Sequence, residues 1–158
     1  MTLQEIQAQL KAPKSQYNSF GKYYYRNCED VLEAVKPLLG DSILILSDEV
    51  VNIGEFNYVK ATASFKTPIN SEDGKVNIIG YNLYAEVTAY AREAKEQKGM
   101  NDAQITGSSS SYARKYALNG LFLIDDTKDD DTTNKHGKEE TKIDPLLKGI
   151  NDNSDPFL

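Results

Sequence analysis

Tryptophan is absent from this 158-residue chain, and cysteine and histidine each occur once. A single thiol, Cys28, excludes an internal disulfide and fits a reducing compartment. No cysteine–histidine spacing suits zinc, and no Ser/His/Asp set is present. The phosphate-cradling pattern G-x-x-x-x-G-K-[ST] does not occur, which excludes a Walker-type nucleotide site. No apolar run approaches a membrane span. The segment Met1-Thr-Leu-Gln-Glu-Ile6 has no basic region before an apolar one and is not read as a signal peptide. A soluble intracellular protein without catalytic residues, metal or cofactor is expected.

An excess of positive charge is also missing. The net charge is −6. Its distribution matters more than its sum. Residues 1–124 hold 13 basic and 14 acidic side chains, whereas residues 125–158 hold 5 lysines and 10 acidic ones. The first part is near neutral and the tail carries the acidity. Any binding to a polyanion must rest on a local cluster, or on several subunits that add their clusters together.

The composition also divides the chain. From Asp125 to about Lys142, acidic residues, Thr, Asn, Lys and Gly dominate, and too little apolar surface is available to offset the entropy of ordering. Residues 1–124 are therefore read as one folded core and 125–158 as a largely disordered acidic tail. The run Asp125–Asp131 could pass for a metal cluster, but it opens that tail and is read as solvated. His136 within the tail is read as exposed and inert.

Within the core, the pattern predicts an α+β fold. Residues 2–12 suit a helix with Thr2 as N-cap, Glu5 completing a capping box, and Pro13 ending it. Residues 14–28 read as a loop. A second helix is expected from about Glu29 to Leu39, with Pro37 able to shorten it and Gly40 beyond its end. Three strands follow. Ile43–Ile53 is β-branched and apolar. Asn57–Thr67 alternates, with Val59, Ala61, Ala63 and Phe65 on one face. Val76–Tyr90 places Ile79, Leu83, Val87 and Ala89 on one face. Turns are expected at Gly54–Asn57 and Asn70–Lys75. Residues 103–122 form a last helix, whose Ala113, Ala117, Leu121 and Phe122 would cover the antiparallel meander.

Two stretches carry chemistry. The first is Gln104-Ile-Thr-Gly-Ser-Ser-Ser-Ser-Tyr-Ala-Arg-Lys-Tyr116. It reads as a small-residue loop entering a helix, with Gly107 and Ser108–Ser111 offering free N–H groups and hydroxyls to an anion. Ser108, Ser109 and Ser111 are candidate phosphate contacts, as are Arg114 and Lys115. Tyr112 and Tyr116 share a face and are read as core or interface aromatics rather than base platforms. The second stretch, Lys22-Tyr-Tyr-Tyr-Arg26, interleaves rings with cations, a pattern suited to single strands. Lys22, Tyr23, Tyr25 and Arg26 are its candidates. The alternative is a plain extended segment with Tyr24 buried. Lys60 and Lys66, on the polar face of their strand, are candidates to extend the basic path.

Together, Thr106–Leu118 followed by Asp125–Asp131, and Lys22–Leu39 upstream, resemble the Erf family of phage single-strand-annealing recombination proteins. The resemblance covers about residues 15–131. It implies a β-β-β-α core, ATP-independent binding and annealing of single-stranded DNA, a homo-oligomer in the form of a ring, and the cytoplasm of a bacterial host. Two other classes stay open: a single-strand protection and recruitment module, and a protein-interaction or inhibitor module that never touches DNA. The terminal Asp155-Pro156-Phe157 resembles the acidic tip of bacterial single-strand-binding proteins, which docks replication and repair partners. The extra Leu158 departs from that pattern, so the tip is read as a chance match.

Overall fold

The computed structural model describes residues 1–70 and 78–124. Helix α1 (Leu3–Gln9) is followed by a hairpin, β1 (Gln16–Asn18) and β2 (Tyr23–Tyr25), and by helix α2 (Cys28–Val35). A 3-10 turn at Lys36–Leu38 leads into β3 (Ile43–Ile53), β4 (Phe56–Asn70) and β5 (Ile78–Arg92), and helix α3 (Asp102–Phe122) closes the order. The larger sheet is an antiparallel meander, β3-β4-β5. The compact unit holding every described residue spans Met1–Asp125.

Local chemistry explains the boundaries. Thr2 and Glu5 form the expected capping box on α1. The helix ends at Gln9, where Leu10 turns extended, so it stops before Pro13 is reached. Asn27 and Asp30 form a second capping box on α2. Pro37 lacks a donor and crowds the preceding turn, and there the helix tightens into the 3-10 form. Gly40 follows at φ 55°. The two N-terminal helices are thus shorter than expected, seven and eight residues.

Three corrections concern the sheets and α3. First, residues 14–28 are not all loop, because they contain the β1–β2 hairpin. Second, β5 does not keep one apolar face. A register shift at Phe65/Lys66 pairs Phe65 with Ala85 but Lys66 with Leu83. The extra residue, Tyr84, reverses the alternation there. Ala85, Val87, Ala89 and Ala91 face the core, while Ile79 and Leu83 are exposed. Third, α3 begins at the Asn101 cap, which forms a box with Gln104. The run Gly107–Ser111 is therefore helix interior. The turn expected at Asn70–Lys75 and the tail from Asp125 fall largely or wholly outside the described residues.

The core lies between α3 and one face of the sheet. Val59, Ala61, Ala63 and Phe65 of β4 meet Ala113, Ala117, Leu118, Leu121 and Phe122 of α3. Leu3, Ile6 and Leu10 with Val31 and Val35 close one side. Large side chains such as Leu118 and Phe122 are fully buried, each worth about 1.5–3 kcal/mol. Small residues set the spacing. Ser109, Ala113 and Ala117 lie one turn apart along α3 and are all buried. They oppose a strand face built largely of alanines. At Gly120, an added Cβ would stand 2.9 Å from Val87 Cγ1. The helix therefore rides close to β5.

Candidate nucleic-acid interface

Close packing decides what the serine-rich stretch does. The backbone N–H groups of Gly107–Ser111 lie inside α3 and are not a free anion nest. The serines are used individually. Ser109 is buried, and its hydroxyl faces the Arg92 carbonyl at 3.4 Å. Ser110 donates to the carboxylate of Asp48 on β3. Thr106 donates to Glu93, just past the end of β5. A run that looks poor for packing is thus what allows α3 to approach the sheet and bond to it.

Arg114 is also engaged by the fold. Its Nη2 lies 2.7 Å from Asp48 Oδ1 and its Nε 3.2 Å from Oδ2. The guanidinium and the Ser110 hydroxyl hold the Asp48 carboxyl below its ordinary value, and the carboxylate pushes Arg114 up. Arg114 reaches a phosphate only by sharing or leaving this pair.

Lys115, the next residue, points elsewhere. Its ammonium lies over the rings of Tyr112 at 4.7 Å and Tyr116 at 5.2 Å. The two rings stand 6.1 Å apart and are exposed, so of the expected core or interface roles the core one falls away. Helical spacing puts 112 and 116 on one stripe with 108. That stripe borders a groove of about 380 Å³ between α3 and the end of β5. Tyr90, Arg92 and Gln97 line its far side, and Ser108, Ser109, Tyr112 and Tyr116 its near side. The groove joins hydroxyls and aromatic rings, with Lys115 at the tyrosine cluster, and Arg92 meets α3 there through its backbone carbonyl. Tyr90 and Arg92 carry no local motif, and only the pairing of α3 with β5 brings them in.

The remaining candidates do not join this groove. Lys60 and Lys66 lie on the opposite sheet face. Lys60 pairs with Glu49 at 2.9 Å, which raises its pKa, and Lys66 stands between Ile43 and Leu83. On that face Arg92 also sits 4.4 Å over the Phe56 ring. In the hairpin, Arg26 is buried at 7% exposure and donates to the Ala12 carbonyl, so it supports the hairpin base instead of facing solvent. Tyr23 is half-buried, Tyr25 is exposed and Lys22 is exposed at φ 56°. Tyr24 is exposed, the reverse of the plain-strand alternative. Cys28 is buried, and burial raises its thiol pKa. Among the described residues no group of acidic, cysteine or histidine side chains could hold a metal. No helix among them is long and apolar enough to cross a membrane.

Comparison with known proteins places these features in a family. The model of the ERF superfamily matches residues 1–145. The Essential recombination function protein of Salmonella phage P22 is 56% identical over 130 residues, covering 82% of this chain and 57% of that protein. This chain therefore spans little more than half the length of that relative. No solved structure matches the chain.

Proposed function

The chain belongs to the ERF superfamily, and from that premise we propose that it binds single-stranded DNA and promotes annealing of complementary strands in phage recombination, without ATP. The observation that carries the reading is the tyrosine-bordered groove between α3 and β5. Rings there can stack on unpaired bases, while Lys115 meets phosphates. Base stacking is sequence-tolerant, as strand annealing requires. No chemical step is needed, because base pairing itself supplies the driving force.

The core is nearly neutral, so one groove binds a strand weakly. A homo-oligomeric ring would align the grooves of successive subunits into one path. Bases held along that path stay open to a second strand. The acidic tail, residues 125–158, would compete with phosphates for the same cations. The host cytoplasm is the expected place of action.

Binding of a labelled oligonucleotide, followed by anisotropy across a salt series, tests the first step. Mass measurement with and without that oligonucleotide tests the second. Salt-dependent binding by an assembly larger than one subunit is the expected result. A strict monomer in both states would remove the ring, and no binding at low salt would remove the function.

A further inference from the structure

The most exposed large apolar side chain among the described residues stands at the tip of the β1–β2 hairpin. Phe20 is 99% exposed. Beneath it, Tyr17 and Tyr24 are 54% and 62% exposed and pair across the two strands. Their rings stand 5.0 Å apart at 52°. Isolated exposed apolar residues are ordinary, but a phenylalanine at the tip of a hairpin whose strands carry a paired set of exposed tyrosines forms a patch with a direction.

The hairpin is held in shape and held to the body. Asn18 Oδ1 accepts from the backbone N–H groups of Phe20 and Gly21, at 2.9 and 3.0 Å. Asn18 Nδ2 donates to the Tyr23 hydroxyl at 3.2 Å. Gly21 has no side chain because the Tyr23 ring lies across it, 2.2 Å from where a Cβ would sit. At the base, Gln16 donates to Asp30, which also caps α2, at 3.0 Å. Tyr23 and Gln16 thus serve the scaffold, Tyr17 and Tyr24 pair with each other across it, and the Phe20 ring stands clear of it.

The charge around the patch is one-sided. The tip loop, residues 19–22, holds the exposed Lys22 and no carboxylate, in a chain of net charge −6, while Arg26 lies buried at the base. A partner for open rings beside a cation carries negative charge and planar faces. A single-stranded nucleic acid offers both, whereas a duplex hides its base faces within its own stack. Resting on the function proposed above, we propose that Phe20, Tyr24 and Tyr17 form a second base-stacking station, with Phe20 wedging between neighbouring bases and Lys22 beside the backbone. The wedge would keep bases unstacked from one another, leaving their pairing edges free.

The absence of tryptophan makes the test direct. Phe20→Trp in the full chain carries the sole indole. Its fluorescence is followed as oligothymidylate is added, in parallel with anisotropy of a labelled copy of the same strand. Quenching that tracks binding, and none with a duplex, is expected. Phe20→Ala and Tyr24→Ala should each weaken single-strand binding about 5- to 150-fold, the range one stacked base spans, with the melting midpoint unchanged for Phe20→Ala. If the strand binds while the indole stays unquenched and Phe20→Ala keeps full affinity, the hairpin is no such station, although the function proposed above survives. If Phe20→Ala instead lowers the mass of the free protein, the tip is a contact between copies and the proposal is wrong. If the unaltered chain binds no strand, both readings fall.

Discussion

Arg114 on α3 holds Asp48 on β3 through two nitrogens, and Ser110, one turn earlier on the helix, donates to the same carboxylate. The arrangement ties the helix to a strand whose apolar contacts with it are few. Removing Arg114 leaves a partly buried carboxylate without its main partner. Arg114→Ala should therefore cost about 1–3 kcal/mol in chemical denaturation, and Lys115→Ala much less. Equal effects would mean that the pair contributes nothing to the fold.

Acid should dissolve the same tie. The Asp48 carboxyl is held below its ordinary value of 3.8 by Arg114 and Ser110. A group whose folded pKa is depressed contributes fully above its unfolded value and loses that contribution as pH falls through the folded one. The stability gap between the unaltered chain and Asp48→Asn should be constant from neutrality to about 5. It should close below 3.8. A gap that stays open in strong acid would contradict this assignment.

Much of the fold was readable because the signals were local. β3 matches its expected bounds, and the inward set Val59, Ala61, Ala63 and Phe65 follows from alternation. Thr2 and Glu5 announced their capping box. Where reading failed, a tertiary event intervened. The bulge opposite Phe65 turned Leu83 outward, which no periodicity reveals. Helix 103–122 matches α3, but serines 108–111 read as its free entrance because serine is a weak helix former, and the Asn101 cap instead sets them in its interior. Strands of three residues are too short to show alternation, so the hairpin and the exposure of Tyr24 were missed. Of the candidate groove, Ser108 and Ser109 stand in the stretch singled out from sequence, whereas Tyr90 enters it only through pairing between distant segments.

Gly120 tests the packing that shapes the groove. Alanine favours a helix over glycine by about 1 kcal/mol. Here its Cβ would stand 2.9 Å from Val87 Cγ1, on a stiff β-branched side chain. Gly120→Ala should lower the denaturation midpoint, and adding Val87→Ala should recover most of the loss. A rise in midpoint for the single variant would show that α3 has room to spare.

Lys115 and Arg114 should differ in DNA binding as they do in stability. Each phosphate contact on a single strand contributes about 0.7 to the salt slope. Lys115→Ala should flatten the slope by that amount, while Arg114→Ala, where folded, should change it less. The reverse order in an anisotropy series would move the phosphate contact to Arg114.

Truncation after Ile124 should leave the melting midpoint nearly unchanged and tighten single-strand binding at low salt. The removed segment carries 10 acidic side chains against 5 lysines. Its competition with phosphates is screened once the Debye length shortens to about 8–10 Å, so the difference should shrink as salt rises. Weaker binding by the truncated chain would mean that the tail contacts DNA or holds subunits together.

The central claim is annealing, and the rate of annealing measures it. Two complementary oligonucleotides, one carrying a fluorophore and the other a quencher, are mixed with the protein in the absence of any nucleotide. The rate should rise with protein concentration and fall back toward the spontaneous rate in a Tyr112→Ala, Lys115→Ala, Tyr116→Ala variant that remains folded. A protein that binds each strand yet leaves the rate unchanged, or slows it, would be a protective binder and not an annealing protein.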